Sequence, residues 1–310
     1  MPSYAFFDDK FVPLAKAKIG VMTHAFNYGT ACFEGIRGNW NKEQGQMYIF
    51  RMKEHYKRLL DSCDVLKIKL PYSIDEMCDI SIELVQRCKS REDTYIRPIA
   101  YKKSEQVGVR LHKLDPGFLV FATPFGAYLD IEKGARCCIA SWRRVNSDMI
   151  PIRAKINGIY VNSALAKTEA FERGFDEAIF LTQEGHVCEG SGENIFLVID
   201  GKLVTPPPSD DILVGITMDT VIKLAKKEFG IDTIERSIDP KEIFKADECF
   251  MTGTAAHVTP IIEVEGRKVG KGSIGKTTKQ LQAMYFDVIL GRKKKYMGWC
   301  TPVYDVAKPR

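Results

Sequence analysis

The sequence predicts a mixed α/β fold divided into two domains. Strand-like and helical segments mix along the chain without the strict alternation of a doubly wound parallel sheet, and 310 residues give room for one large core or two modest ones. Between residues 124 and 134, a proline, two glycines and mixed charges interrupt the pattern. We therefore expect a smaller N-terminal domain at 1–123, an interdomain loop at 124–134 and a larger C-terminal domain at 135–310.

Two helices are predicted in the first domain. The helix over 74–88 has the clearer start, because Ser73 is suited to the N-cap position and Glu76 follows three residues later. An apolar stripe predicts the other helix over 53–65. Runs rich in β-branched and aromatic residues predict strands over 47–51, 94–101 and 117–123.

In the second domain, helical periodicity predicts three helices, over 159–173, 217–229 and 277–290. Short apolar runs predict strands over 135–141, 178–182, 195–199 and 248–252. The segment Thr182-Gln183-Glu184-Gly185-His186 is typical of a hairpin turn.

Composition excludes several classes of protein. Hydrophobic residues at 45%, charged residues at 27% and a net charge of +5 are those of an ordinary globular protein, so neither nucleic acid nor a membrane is an expected partner. The first residues lack the basic and apolar regions of a signal peptide. The nine cysteines have no metal-site or disulfide spacing, so we expect reduced thiols in the cytoplasm and no metal.

Lys155 is the first candidate for chemistry. An extended-looking apolar stretch from Ile150 ends at this basic residue, and Asn157 and Gly158 follow as a turn signal. A lysine at the end of a strand can be partly desolvated, which favours the neutral amine that forms a Schiff base. A solvated surface lysine is the alternative.

An acidic, glycine-rich motif follows further along the chain. Residues 189–194, Glu-Gly-Ser-Gly-Glu-Asn, are interpreted as the connection between two strands. Its glycines allow close approach to a ligand, and Glu189 and Glu193 bracket them. The alternative is an ordinary acidic turn.

Together these segments resemble the branched-chain amino acid aminotransferases. The resemblance rests on Ala-Lys-Ile-Asn-Gly-Ile-Tyr-Val-Asn-Ser around Lys155 and on the motif at Glu189, and it extends from Thr23 to Ala256. It implies the two-domain D-amino acid aminotransferase-like fold, fold type IV, of the class IV aminotransferases. It also implies pyridoxal 5'-phosphate as cofactor, which needs a lysine, a carboxylate at the pyridine nitrogen and an anion-binding cup.

The resemblance implies a role for each cofactor-binding residue. Lys155 would form the Schiff base and act as general base, Glu189 would pair with the pyridine nitrogen, and Tyr160 would bind the 3-oxygen. Glu193 is the competing carboxylate, and the sequence alone does not choose between the two. The phosphate would contact Arg58, Ile216, Thr217 and Thr254.

Substrate recognition has a pattern of its own. Tyr95 and Arg97 are two residues apart in a predicted strand, so they point to the same side, where a phenol and a guanidinium suit a carboxylate. The family adds backbone N–H groups at Ala255 and Ala256, and a pocket with Tyr28, Phe33 and Gly35. Two residues depart from the family: Phe125, where a tryptophan is frequent, and His257, where an acidic residue is frequent.

The expected reaction is transamination of leucine, isoleucine and valine with 2-oxoglutarate, which gives branched 2-oxo acids and L-glutamate. The resemblance also implies a homodimer or a larger homo-oligomer. D-Amino acid aminotransferases and aminodeoxychorismate lyases of the same fold are the alternatives, and they generally lack the Tyr-x-Arg pattern.

One motif points to different chemistry. Gly270 to Thr277 matches the P-loop pattern G-x-x-x-x-G-K-[ST] in full. A nucleotide triphosphatase is nevertheless a remote alternative, because too little chain follows for a parallel sheet and a magnesium-binding strand. A non-enzymatic interaction module would not explain the ordered set of candidate residues.

Overall fold

The computed structural model describes residues 3–126 and 128–305. The chain divides into two compact units. The first unit comprises Met1–Gly126, Ala154–Gly158 and Asp287–Arg310, and the second comprises Ala127–Arg153 and Ile159–Phe286. Each unit contains one β-sheet.

The sheet of the first unit is antiparallel throughout. Its eight strands are β1 (Tyr4–Phe7), β2 (Lys10–Pro13), β3 (Ala31–Phe33), β4 (Ile36–Asn41), β5 (Gln46–Phe50), β6 (Thr94–Lys102), β7 (Pro116–Pro124) and β17 (Cys300–Pro302). The strand order is β17-β5-β4-β6-β7-β1-β2, and β3 pairs with β6 beside this path. The last strand of the chain thus pairs with β5, far away in sequence.

Three α-helices accompany this sheet: α1 (His24–Tyr28), α2 (Met52–Val65) and α3 (Ile74–Cys88). The predicted capping box begins α3, because Ser73 Oγ accepts from the Glu76 N–H and the Glu76 carboxylate accepts from the Ser73 N–H. Helix α2 packs against α3 and β3, and α3 packs against β7 and β1. Short 3₁₀ helices cover Leu14–Lys16 and Lys294–Trp299.

The sheet of the second unit is mixed. Its nine strands are β8 (Ala135–Arg143), β9 (Glu177–Leu181), β10 (Val187–Gly190), β11 (Asn194–Ile199), β12 (Lys202–Thr205), β13 (Thr233–Glu235), β14 (Glu248–Gly253), β15 (His257–Val264) and β16 (Arg267–Lys268). The order is β10-β9-β8-β15-β14-β11-β12-β13, with β16 beside β15. Strand β8 is parallel to both its neighbours, and β12 is parallel to β13.

The helices of the second unit cover its sheet. Helix α4 (Tyr160–Glu172) packs on β8 and β9, and α5 (Ile216–Phe229) packs on β13 and β14. Helix α6 (Lys276–Ile289) begins in this unit. Short 3₁₀ helices cover Pro208–Asp210 and Pro240–Phe244, and another, Asn157–Ile159, lies where the chain passes from the first unit to the second. Buried aliphatic side chains of β9, β11 and β14 form the core, with Ile179, Leu197 and Met251 fully enclosed.

The mixed α/β class and every predicted helix are confirmed, and the predicted strands agree with observed ones to within a few residues. Two local predictions are wrong. The stretch before Lys155 turns instead of extending, although Ile152, Ala154 and Ile156 are buried while Arg153 is exposed. That alternation imitates a strand. Glu189 lies on β10, not in a connection, because pairing with β9 stabilises a short run containing Glu and Gly, which are poor strand formers.

The predicted domain boundary at 124–134 stays a prediction, and two segments depart from it. Ala154–Gly158, which contains Lys155, and Asp287–Arg310 both belong to the first compact unit and not to the second. Among the described residues, no helix has the length and apolar character needed to cross a membrane.

Candidate active site

The fourteen predicted site residues divide between the two units. The first unit holds Tyr28, Phe33, Gly35, Arg58, Tyr95, Arg97 and Lys155, and the second holds Tyr160, Glu189, Ile216, Thr217, Thr254, Ala255 and Ala256. In the first unit, Lys155 and Arg97 both lie against the ring of Phe33, and Arg97 bonds Tyr95.

Lys155 is anchored by its own backbone. Its N–H donates to Ser62 Oγ of α2 at 3.0 Å, and its carbonyl accepts from the Phe33 N–H at 3.0 Å. The next residue, Ile156, forms a bridge with Cys32 of β3. The Lys155 ammonium nitrogen lies 5.0 Å from the centre of the Phe33 ring. A half-buried amine is therefore held beside an aromatic face by bonds to a helix and a strand.

Arg58 is bound by a buried carboxylate. Its Nε and Nη2 donate to the two oxygens of Glu34 at 2.6 and 2.9 Å, and His55 Nδ1 bonds Glu34 Oε2 at 2.7 Å. Burial opposes the charge of Glu34, but Arg58 and His55 outweigh it and hold the pKa of this carboxyl below its usual range. Burial lowers the pKa of His55, although the neighbouring Glu34 carboxylate opposes this.

Tyr95 and Arg97 lie on the same side of β6, as predicted. Arg97 Nη2 donates to the Tyr95 hydroxyl at 2.8 Å, and the guanidinium carbon lies 4.3 Å from the centre of the Phe33 ring. No described residue is a hydrogen-bond partner of the buried Arg97 Nε. A Cβ at Gly35 would come within 2.1 Å of the Tyr95 hydroxyl, so only glycine fits there. Phe125 lies against Tyr95, with ring centres 5.1 Å apart.

Tyr28 ends helix α1 and is more exposed than Phe33. Its hydroxyl accepts from the Gly108 N–H at 3.0 Å, and its ring lies 4.7 Å from the ring of His24. The fully buried His24 also contacts the Gly108 carbonyl at 2.7 Å. Tyr28 is thus fixed to the segment around Gly108.

Glu189 is buried and paired with a cation. Its Oε1 lies 2.8 Å from Arg144 Nη2, while Oε2 accepts from the Leu213 N–H at 3.0 Å and from Asn194 Nδ2 at 3.4 Å. Arg144 also donates to Ser163 Oγ of α4 at 3.3 Å, one turn after Tyr160. Glu189 is thereby tied to α4, to the strand β11 and to the segment that leads into α5.

Glu193 has a different environment. It is buried, and the Gly192 N–H donates to its Oε2 at 3.1 Å. Burial, followed by the negative charge of Glu177, raises the pKa of Glu193 to about 8. Glu177 is itself fully buried and paired with Lys167 at 2.6 Å. Glu193 is therefore mainly protonated at neutral pH, whereas Glu189 has a guanidinium partner.

Two backbone turns carry the remaining residues. Helix α5 begins at Ile216 after Gly215, which offers no side-chain cap; a Cβ there would meet Asn194 Oδ1 at 2.1 Å. Helix N-termini attract anions. The second turn, Thr254 to Ala256, joins β14 to β15, and Ala256 is held by Thr259 Oγ1 at 2.6 Å. His257 adopts a positive φ of 58° beside the ring of Phe286.

The P-loop pattern has another explanation. At the start of α6, where a P-loop would bind phosphate, Glu248 Oε1 accepts from the Thr277 N–H at 2.9 Å and Oε2 from the Thr278 N–H at 2.7 Å. A Cβ at Gly275 would lie 1.9 Å from the Glu248 carboxyl carbon. A carboxylate of the chain thus caps this helix.

Sequence reasoning did not identify Ser62, Glu34, His55 and Arg144, which hold the predicted residues. Glu34 directly follows the apolar strand β3, and a carboxylate in such a run is a weak signal of burial with a partner. Arg144 directly follows Arg143, the last residue of β8, and gives no signal in the sequence.

Comparison with known proteins shows the family to which the chain belongs. Residues 31–264 match the amino-transferase class IV family. A probable branched-chain-amino-acid aminotransferase of Aquifex aeolicus (strain VF5) is 50% identical over 302 residues, 97% of each chain.

Two solved structures are similar throughout. The branched-chain aminotransferase of the archaeon Thermoproteus uzoniensis, with norvaline, is 44% identical with a TM-score of 0.93, covering 97% of this chain and 100% of that one. The branched-chain amino acid aminotransferase of Thermobaculum terrenum, in its PLP-bound holo-form, is 37% identical with a TM-score of 0.93, covering 98% and 99%. The fold is that of a class IV aminotransferase. Within that class, the chain belongs to the branched-chain-amino-acid aminotransferase family.

Proposed function

We propose that this protein transfers the amino group of leucine, isoleucine or valine to 2-oxoglutarate. The observation that carries the proposal is the cluster on Phe33, where the Lys155 amine and the Arg97 guanidinium approach one aromatic ring. An amine for the chemistry, a cation for a carboxylate and an apolar surface are what a branched-chain amino acid requires.

Pyridoxal 5'-phosphate is the cofactor, and when bound its ring withdraws electrons from the substrate α-carbon. The donors present suit its groups. Glu189 is a buried carboxylate oriented by three donors, as a pyridinium partner would need to be. The glycine start of α5 and the small-residue turn at Thr254 suit a phosphate.

Each residue then has a role in the reaction. Lys155 would hold the cofactor through its amine, and the free amine would act as general base for the substrate α-proton. Glu189 would keep the pyridine nitrogen protonated, and the Tyr160 hydroxyl would bind the 3-oxygen. Arg58, Ile216, Thr217 and Thr254 would be the phosphate ligands.

Substrate carboxylates are bound by Arg97 and Tyr95 and by the N–H groups of Ala255 and Ala256. Phe33, Tyr28 and Gly35 line the apolar side-chain pocket. The same groups serve 2-oxoglutarate in the reverse half-reaction, so the two substrates alternate in ping-pong order.

The protein also acts as a homodimer or larger homo-oligomer in the cytoplasm. Support for self-association is an exposed apolar patch on the first unit, formed by Ile19, Val21, Met22, Phe26, Tyr28, Val107 and Val109. Support for the cytoplasm is that all nine cysteines are buried free thiols.

An absorbance titration tests the function. L-Leucine should shift the cofactor band of the purified protein, 2-oxoglutarate should restore it, and D-alanine should leave it nearly unchanged. Borohydride reduction and peptide mapping should place the pyridoxyl label on Lys155, and Lys155→Ala should abolish turnover. A response to D-alanine alone would favour a D-amino acid aminotransferase and overturn the proposal.

A further inference from the structure

Glu34, His55 and Arg58 form a cluster in the first unit. The reaction described above gives Glu34 and His55 no role. We infer that the Glu34–His55 pair is a positioning device that holds the Arg58 guanidinium in one orientation for the cofactor phosphate. The inference rests on the proposed function, because it takes Arg58 as a phosphate ligand.

The geometry restricts Arg58 to one orientation. The Glu34 carboxylate accepts hydrogen bonds from Arg58 Nε and Nη2, at 2.6 and 2.9 Å. Because a guanidinium is planar, these two bonds fix its plane, and Nη1 points away from Glu34. The Arg58 side chain keeps 15% of its exposure whereas Glu34 has none. Glu34 thus fixes one edge of the guanidinium, while the Arg58 side chain as a whole stays partly exposed.

Glu34 is itself held from two further directions. His55 Nδ1 bonds its Oε2 at 2.7 Å, and the Glu34 N–H donates to the Pro98 carbonyl of β6 at 3.0 Å. His55 and Arg58 lie three residues apart on α2, so they share one face of the helix. The carboxylate thus has a fixed place between a strand and a helix, which a flexible surface ion pair would lack.

The same helix face is also connected to Lys155. Ser62 Oγ donates to the Arg58 carbonyl at 2.8 Å and accepts from the Lys155 N–H at 3.0 Å. The residue proposed to hold the phosphate and the residue proposed to hold the aldehyde carbon are therefore joined through one hydroxyl. Fixing the Arg58 side chain completes a rigid frame for both ends of the cofactor.

Stability alone is a poor reason for this cluster. Buried ion pairs are frequently no more stabilising than apolar residues of equal volume, because both charges lose their hydration. Orientation is a benefit that an apolar replacement would not supply. The two roles can be separated by experiment, because they predict different changes in phosphate affinity when Glu34 is replaced.

Glu34→Gln provides the test. If Glu34 only neutralises Arg58, removing its charge leaves the guanidinium more attractive to an anion, and pyridoxal 5'-phosphate should bind as tightly as before or more tightly. If Glu34 positions Arg58, the loosened guanidinium should bind the phosphate about 10-fold less tightly, since one charge-assisted bond is weakened. Equilibrium dialysis gives the dissociation constant without measuring turnover.

Pyridoxal, which lacks the phosphate, is the control ligand. The positioning role predicts that Glu34→Gln lowers affinity for pyridoxal 5'-phosphate about 10-fold and leaves affinity for pyridoxal nearly unchanged. Equal losses for both ligands would indicate general damage and overturn the inference. In an Arg58→Met background, Glu34→Gln should have no further effect on the ratio of the two affinities.

A matched pair at His55 keeps the test usable if Glu34→Gln does not fold. His55→Asn retains an N–H donor near the Nδ1 position, and His55→Leu removes it. The ratio of affinities should stay close to wild type in the first variant and fall in the second, and equal ratios would overturn the inference. If the wild-type protein binds pyridoxal 5'-phosphate without dependence on Arg58, the proposed phosphate site itself fails, which is a distinct outcome.

Discussion

Glu189 and Glu193 illustrate how much the surroundings of a residue decide. Both are buried carboxyl groups of one short motif, and the sequence could not choose between them. Glu189 is paired with the Arg144 guanidinium, whereas burial and the negative charge of Glu177 raise the pKa of Glu193. A pyridinium ion needs a charged partner, so the structure favours Glu189 for that role on physical grounds that no sequence pattern contains.

This difference leads to a paired substitution experiment. Glu189→Gln should slow the half-reaction with L-leucine at least about 10-fold, because a charged hydrogen bond to the pyridine nitrogen is lost. Glu193→Gln should change the rate little, since glutamine resembles the protonated carboxyl. Stopped-flow absorbance measures both rates. A larger effect at Glu193 would mean that the two roles are reversed.

The pKa of Glu193 also predicts a dependence of stability on pH. Folding raises this pKa from 4.5 to about 8. Between these values the unfolded chain binds fewer protons than the folded one, so the free energy of unfolding falls as pH rises, and above pH 8 the loss is complete. Glu193→Gln removes this loss. Urea unfolding should show the variant gaining stability relative to wild type from pH 5 to 8, and a constant difference would contradict the prediction.

Arg97 and Tyr95 were predicted to share a strand face, and their 2.8 Å bond makes their roles separable. Arg97→Met should lower kcat/KM for acid substrates about 10- to 100-fold while the cofactor still binds, because a charge-assisted partner is lost. Tyr95→Phe removes the hydroxyl and retains the guanidinium, so it should have a smaller effect. The half-reaction rates of each variant with 2-oxoglutarate and with a branched 2-oxo acid measure these effects. If Arg97→Met reacts as fast as wild type with both acids, Arg97 does not bind the substrate carboxylate.

At the scale of elements, the sequence predicts structure correctly where interactions between neighbouring residues are sufficient to determine it. The capping box at Ser73 gave the start of α3 correctly, because its hydrogen bonds are all within four residues. Prediction failed where tertiary contacts decide. Strand β10 exists because β9 pairs with it, whereas the stretch before Lys155 buries alternate side chains without pairing as a strand.

The start of α6 allows an experiment on one element. Glu248 bonds two backbone N–H groups of its first turn, so Glu248→Ala should destabilise the protein by about 1 kcal/mol, as the loss of a cap does. Lys276→Ala, at an exposed position of the same P-loop-like segment, should have almost no effect. Thermal unfolding measures the stability change of each variant. ATP should not raise the midpoint of thermal unfolding of either protein. Nucleotide binding that depends on Lys276 would revive the P-loop interpretation.

For the whole molecule, the sequence predicted two α/β bodies but not how the chain is shared between them. The first unit recruits Ala154–Gly158 through the bridge between Ile156 and Cys32, and the C-terminal segment through the pairing of β17 with β5. Both contacts join residues far apart in sequence. Which residues pair in them cannot be predicted from composition or from hydrophobic periodicity. The site residues were identified mainly through the family resemblance, which carries such information indirectly.

The exposed apolar patch of the first unit gives a prediction about assembly. Two segments form it, because Thr23 bridges to Glu105 and the Gly108 N–H bonds the Tyr28 hydroxyl. Phe26 and Val109 keep 68% and 80% of their exposure, and contiguous apolar surface of this kind marks an association site.

A second copy of the chain is the expected partner of this patch, so Phe26→Glu combined with Val109→Glu should produce a smaller species in sedimentation velocity. Burying two unpaired carboxylates in an apolar interface is strongly unfavourable, whereas the same charges in water are not. Phe171→Glu is the matched control, since Phe171 is 79% exposed on the second unit. Because Tyr28 belongs both to the patch and to the proposed substrate pocket, the dissociated variant should also lose kcat/KM for L-leucine. An unchanged sedimentation coefficient in the double variant would contradict the assignment, and a change with Phe171→Glu alone would move the interface to the second unit.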